Sequence, residues 1–312
     1  MPDQALELRS LVTARSTLEL SLHDVTVPSP AANEVLVRVE ASPINPSDLG
    51  VLIAGADMSA ATVTGGPERP VVTASLGKVA LEGLSARVDK PLPVGNEGAG
   101  TVVAAGSSSA AQALLGRRVG IAGGGMYTQY RAVDASACLA LPEGTTAKDG
   151  APSFVNPLTA LGMLETMRRE GHSALVHTAA ASNLGQMLVK LCLADGVPLV
   201  NIVRKPDEEQ LLRSLGAVHV CNSSSPSFST NLVEALKAWG VGGWLLTLFL
   251  QNAGAEAVGR LRARVAAELT TTFAGTYTRE VSLAGMLMPD AFHAYVTGAT
   301  GEKFLVTPQA HP

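Results

Sequence analysis

Residues 174–193 read ALVHTAAASNLGQMLVKLCL, and this stretch decides the fold. A short apolar strand, residues 174–177, runs into small residues and then into an apolar helix over 184–193. A dinucleotide fold places its phosphate turn at such a strand–turn–helix junction, with glycines spaced G-x-G-x-x-G. The three positions are held here by Ala180, Ser182 and Gly185. Small residues let the backbone approach a pyrophosphate, and the helix start, with Asn183 and Leu184, offers free N–H groups and the positive end of the helix dipole. Only Gly185 keeps the glycine, so the motif is weak by itself. An ordinary tight turn between strand and helix would look the same.

The following strand, residues 198–203, ends in Arg204 and Lys205. A site built for NAD carries Asp or Glu there to hold the ribose hydroxyls. No acid is present, and Arg offers a bidentate fork to a phosphate while Lys adds a point charge. The pair therefore points to NADP(H). A solvated cationic loop facing Asp207, Glu208 and Glu209 is the plainer alternative.

Working outward, strands and helices alternate from about residue 151 to 238. Helices are expected over 159–170, 207–215 and 232–238, and a third strand over 218–221. Such alternation implies a parallel sheet covered by helices. The first 150 residues differ. Residues 18–22 and 35–39 alternate apolar and polar side chains, the period of a half-buried strand. Further strands are expected over 100–104, 118–121 and 130–133, with glycines between them. A small β domain precedes the α/β part. Residues 53–92 are weakly patterned and long for a plain loop, which leaves an insertion, a lid or a disordered surface loop open. Near the end, Val258, Leu261, Val265 and Leu269 share one helix face, followed by a helix over 289–297 and a strand over 303–306.

Composition narrows the function. The 312 residues carry a net charge of −4, with 46% apolar and 4% aromatic residues. That balance lacks the basic stripe of a nucleic-acid binder. Three scattered cysteines, Cys138, Cys192 and Cys221, make no CxxC pair, which favours a reducing compartment over a disulfide framework. No apolar stretch approaches the ~20 residues of a membrane span. The N-terminus lacks the pattern of a secretory signal, so cytoplasm or an organelle matrix is expected.

Four ordered segments carry a resemblance: VLVRVEASPINPSDLG, PVGNEGAGTVVAAG, GMYTQYRAV and SFVNPLTALGML. They resemble the successive signatures of the medium-chain dehydrogenase/reductase family, and HTAAASNLGQ is similar to the turn of its zinc-independent quinone-oxidoreductase branch. The resemblance implies an α/β chain of a GroES-like β domain, residues 1–155 completed by 285–312, and a Rossmann doubly wound parallel sheet over 156–284. Zinc-dependent members carry Cys and His where this chain has Asn45 in INPSD and Asn96-Glu97 in GNEG, so no zinc is expected. Asn45 and Tyr127 then fall where zinc-free reductases line the cleft, and are the candidate catalytic residues. Thr159 resembles the residue packed near the nicotinamide. With Ala180, Ser182, Asn183, Leu184, Gly185, Arg204 and Lys205 it completes the candidate cofactor set.

The Rossmann pattern stops after about residue 238. A second β-α-β half is expected, and the chain runs instead into WGVGGWLLTLFLQ. Two β-α units amount to roughly 60 residues. A truncated sheet leaves an open edge, which invites pairing with another chain. Two functions stay open. One is an NADPH-dependent reductase of a quinone, enone or similar activated double bond. The other is an inactive family member serving as a structural or accessory subunit, as a homodimer or within a larger assembly.

Overall fold

The computed structural model describes residues 2–237, 246–297 and 303–310; the side chains of 246–252, 292, 293, 296 and 297 also fall outside the description. The chain divides into two compact units, Met1–Pro152 with Tyr277–Pro312, and Ser153–Thr276. The return to the first unit thus comes at Tyr277, earlier than residue 285, because a strand at Arg279–Val281 pairs with the last strand of the chain.

The first unit opens with β1 (Gln4–Thr13), β2 (Thr17–Thr26) and β3 (Glu34–Pro43). A short helix α1 (Leu49–Leu52) leads to β4 (Asp57–Gly66), β5 (Arg69–Ser75), α2 (Lys78–Gly83) and β6 (Leu92–Pro93). Then come β7 (Glu97–Ala105), α3 (Ser109–Gln112), β8 (Arg118–Ala122), β9 (Tyr130–Asp134), β10 (Cys138–Ala140) and α4 (Ala147–Gly150). One sheet has the order β4-β5-β2-β1-β6. Strand β1 was not expected from sequence, although Leu6, Leu8 and Val12 alternate in the same way as the residues of β2, with which it pairs antiparallel from Gln4↔Thr26 to Thr13↔Thr17. The weakly patterned stretch after Ile53 is neither a lid nor a disordered loop. Its first half is the β4–β5 hairpin, and β5 extends the sheet by pairing with β2. Its pattern is faint because β4 is largely exposed.

The second unit begins with α5 (Val155–Arg169), then β11 (Leu175–His177), α6 (Asn183–Asp195), β12 (Leu199–Val203), α7 (Pro206–Ser214), β13 (His219–Asn222), α8 (Phe228–Leu236) and α9 (Leu246–Ala267). The first unit is completed by β14 (Arg279–Val281), α10 (Pro289–Thr297) and β15 (Phe304–Val306). Its other sheet runs β10-β8-β7-β3-β15-β14, with β9 also on β3. Strand β15 closes on β3 through Leu305↔Pro43 and Val306↔Ser42, bringing the chain's end beside residues 42–45.

In the second unit β11, β12 and β13 form a parallel sheet, with Leu175↔Leu199 and Val200↔His219 in register. Among the described residues β11 pairs only with β12, and its three residues are half-buried. That is the β-α-β-α-β arrangement of one half of a doubly wound sheet. The start of the segment WGVGGWLLTLFLQ, residues 239–245, lies outside the described residues. Helix α9 buries Leu261 and Val265, and Leu269 just beyond it, as their spacing requires. It is kinked at Gly254, where φ is 78°. Arg264 reaches Asp195 of α6 at 2.6 Å, and Arg168 of α5 reaches the same carboxylate at 2.8 Å. This ion triad ties the three helices together.

Candidate functional site

Two groups of residues carry the chemistry, one in each unit. In the first, β3 ends at Pro43 and the chain turns through a single 3₁₀ turn, Pro46–Asp48. Proline at the first position of that turn costs nothing, because its missing N–H would have no partner there. The Asp48 carboxylate accepts from the backbone N–H of Asn45 at 2.6 Å and of Asn96 at 2.7 Å, which locks this turn to the segment before β7.

Asn45 is held from both ends. Its Nδ2 donates to Glu97 Oε1 at 2.8 Å, and its Oδ1 accepts from Lys303 Nζ at 3.0 Å. A carboxylate only accepts and an ammonium only donates, so the two partners fix the orientation of the carboxamide. Asn45, Asp48 and Glu97 are all at most 1% exposed. Burial pushes the Asp48 carboxyl up to about 6, against the pull of two backbone N–H groups, the Tyr127 hydroxyl and Lys303. Burial lowers the Lys303 ammonium, while Glu97 and Asp48 hold it up. Two carboxylates thus face one ammonium in a dry setting, an arrangement that can hold and release a proton.

Tyr127 was expected to line an open cleft, and the structure corrects this. The ring is 0% exposed and packs in the core with Leu8, Val94 and Tyr295. Its hydroxyl donates to the Pro43 carbonyl at 3.2 Å and also faces Asp48. Gly95 makes this packing possible: its φ is +97°, and a Cβ there would lie 2.8 Å from the tyrosine ring. Tyr127 therefore positions the turn that carries Asn45. Sequence reading missed Lys303, which stands 258 residues from Asn45 along the chain. Tyr277 was missed too. Its hydroxyl is buried without a hydrogen-bond partner among the described residues, and burial, then the charges of Glu97 and Asp149, pushes it far above its ordinary range. No group of three His, Cys, Asp or Glu that could hold a metal ion occurs among the described residues.

In the second unit the strand–turn–helix junction is built as its spacing implies. Ser182 is the N-cap of α6, and its Oγ accepts from the Gly185 N–H at 3.1 Å. Gly185 cannot carry a side chain, since a Cβ would lie 2.1 Å from the Ala180 carbonyl oxygen. Ala180 is buried beneath the turn. Asn183 accepts through Oδ1 from Thr276, leaving its Nδ2 buried and unpartnered among the described residues. Leu184 is half-buried beside it. The His177 ring lies just before the turn, with burial lowering its pKa. That favours the neutral form and a structural place.

Arg204 and Lys205 follow β12 and are exposed. The nearby acids are engaged elsewhere. Glu208 accepts from the backbone N–H of both Arg204 and Lys205, at 3.0 and 3.2 Å. Glu209 pairs with Arg213 at 2.8 Å. Asp207 accepts from the Glu208 N–H. The Arg204 guanidinium makes no ion pair among the described residues. The structure brings together residues 180–185, with Arg204 and Lys205 one strand away. Thr159 stands apart on α5, its hydroxyl donating to the Val155 carbonyl.

Comparison with known proteins now bears on this geometry. Residues 31–143 match the alcohol dehydrogenase GroES-like domain. A structure described as an NADPH:quinone reductase from Mesorhizobium loti superposes with a TM-score of 0.74 at 23% identity, covering 99% of each chain. At this identity the likeness is one of fold. The enoyl reductase CurK has the same fold, with a TM-score of 0.70 at 18% identity, over 98% of this chain and 99% of its own. In sequence, the mitochondrial enoyl-[acyl-carrier-protein] reductase of Xenopus tropicalis is 29% identical over 209 residues, 64% of this chain and 51% of that protein. A quinone oxidoreductase of Pseudomonas aeruginosa is 29% identical over 147 residues, 46% of this chain and 45% of its own. The chain spans about half the length of the curated relatives it matches.

Proposed function

We propose that this chain is an NADPH-dependent reductase of an activated carbon–carbon double bond or a quinone, working without zinc. The observation that carries the reading is Arg204. It is a cation at the end of the second parallel strand, with the neighbouring acids bonded to other groups, one strand from a capped helix start. The residues fit the cofactor. The backbone at Ala180–Gly185 admits close approach, the first turn of α6 has N–H groups for a pyrophosphate, and Arg204 with Lys205 suits a 2′-phosphate. Relatives named as quinone oxidoreductase and enoyl reductase support the same class.

Bound NADPH supplies the hydride. The protein's own task is to orient, to exclude water and to deliver a proton. Lys303 Nζ, held by Asn45 Oδ1, is the group of the first unit suited to hold and give up a proton. Glu97 holds the other end of that carboxamide. Asp48 and Tyr127 keep the turn in place. The test is calorimetry and turnover on the purified chain with NADPH and NADH, using 1,4-benzoquinone and a crotonyl thioester. Micromolar NADPH binding with NADPH oxidation is expected; absence of tight NADPH binding overturns the proposal.

The half-buried strand β11, with one described partner, favours a second reading as an accessory subunit. Light scattering on a sizing column separates the two. A monomer turning over NADPH eliminates the second reading, and an inactive, stably associated chain supports it.

A further inference from the structure

Asn45 and Asp48 belong to the turn at Pro46–Asp48, which runs without a break into α1. A helix of one turn does not hold its shape by itself. The near end is fixed by the Asp48 carboxylate, which accepts from Asn45 and Asn96. The far end carries carbonyls that have no partner inside the helix. Two of these, on Val51 and Leu52, accept from the Ser10 hydroxyl at 2.9 and 3.0 Å. Ser10 is 0% exposed and lies on β1, between Leu20 of β2 and Leu92 of β6. The hydroxyl proton is thereby spent on α1, and its oxygen is left to accept.

Arg87 supplies the donor. Its Nη2 donates to Ser10 Oγ at 2.9 Å and to the Ser10 carbonyl at 3.4 Å, and its Nη1 donates to the Val51 carbonyl at 3.1 Å. One planar fork thus joins β1 to the end of α1, a geometry that the point charge of a lysine does not reproduce. Among the described residues, all the hydrogen bonds of the guanidinium go to Ser10 and Val51. Burial lowers its pKa, but an arginine stays charged. A cation beside helix-end carbonyls is favourably placed. Arg87 ends the turn Ser85–Arg87, in the half of the weakly patterned stretch that follows the β4–β5 hairpin.

We propose that Arg87 is a positioning residue for the candidate reductase site: by clamping the end of α1 to β1, it fixes the turn that sets the Asn45 carboxamide between Glu97 and Lys303. Its effect on turnover rests on the reductase reading, and its effect on Asn45 does not. Without the fork the end of α1 is held by Ser10 alone, and the turn shifts. Asn45 then no longer meets Glu97 and Lys303 together.

The full chain is compared with Arg87→Met, Ser10→Ala and the double variant, each checked for wild-type circular dichroism. Should Arg87→Met fail to fold, Arg87→Lys, which keeps the charge and loses the fork, takes its place. The first readout is the side-chain amide pair of Asn45 in proton–nitrogen NMR spectra, assigned by its loss in Asn45→Asp. Both single variants shift it, while the amide pair of Asn201, in the other unit, stays in place. The double variant moves it no further than Arg87→Met alone, because both residues act through one clamp. The second readout is turnover of NADPH with 1,4-benzoquinone. Arg87→Met lowers kcat about tenfold and leaves KM for NADPH unchanged, since Arg204 and the Ala180–Gly185 turn belong to the other unit. An unshifted Asn45 pair in a folded variant, a larger shift in the double variant, or a raised KM with unchanged kcat each overturns the proposal. A wild-type chain without turnover fails the reductase reading, and the Asn45 amide pair then decides the place of Arg87.

Discussion

Asn45 shows how much a single side chain carries here. Its carboxamide joins Glu97 to Lys303, and no other residue of similar size offers a donor and an acceptor at that spacing. Lys303→Met removes the ammonium at similar length and is expected to lower kcat by about tenfold or more, with a small change in KM for NADPH. A steady-state assay across pH 6 to 9 checks this, since the variant also loses whatever part of the pH profile Lys303 sets. Arg204→Ala is expected to raise KM for NADPH about ten- to hundredfold and to leave NADH nearly unaffected, the worth of a charge-assisted hydrogen bond. Equal losses with both cofactors would show that the guanidinium does not meet the 2′-phosphate.

Asp48 links this site to stability. Its folded pKa, about 6, is raised above the unfolded value near ~4. A carboxyl of that kind stabilises the fold fully below the unfolded pKa and loses this contribution as pH rises through about 6. Asn keeps one of the two acceptors and turns an NH2 toward the other backbone N–H, so Asp48→Asn should be less stable than the wild type near pH 4. The gap should narrow by on the order of 2 kcal/mol by pH 7.5, where the wild type alone carries the buried charge. Urea unfolding of both proteins at the two pH values measures the difference, and a pH-independent gap contradicts it.

At the scale of elements, the junction from β11 to α6 depends on two small residues for different reasons. Ser182 caps the helix, so Ser182→Ala should cost about 1 kcal/mol in urea unfolding. Gly185 is excluded from any change by space, because the nearest atom to an added Cβ is a backbone carbonyl that cannot swing away. The strand–turn–helix order was legible from sequence because each piece is a local pattern. Arg204 and Lys205 were legible as cations, but which acids they would face was not. That depends on Glu208 turning back to cap α7, a choice among three neighbouring carboxylates. The β4–β5 hairpin was illegible because its first strand is largely exposed and so shows little alternation.

At the scale of the molecule, the second unit is held by the Asp195 triad and by its helices rather than by a complete sheet. Asp195 is 13% exposed and its pKa is lowered, chiefly by the Arg264 hydrogen bonds. A depressed pKa stabilises above the unfolded value and is lost as pH falls below it, the opposite sense to Asp48. Asp195→Ala should cost about 2 kcal/mol at pH 7 and progressively less below about pH 4.

By itself the sequence determined the class of fold. Periodicity, turn residues and the small-residue junction are short-range properties, and each acts on the backbone within a few residues. The β domain, the parallel α/β run and its interruption after about residue 238 follow from those. Tertiary structure decided the site. It buried Tyr127, which the family resemblance had placed at a cleft. It brought Lys303 to Asn45 across 258 residues by pairing β15 with β3. It also buried the Asn201 oxygen without a hydrogen-bond partner among the described residues. Such contacts depend on which distant strands become neighbours, and no local pattern contains that.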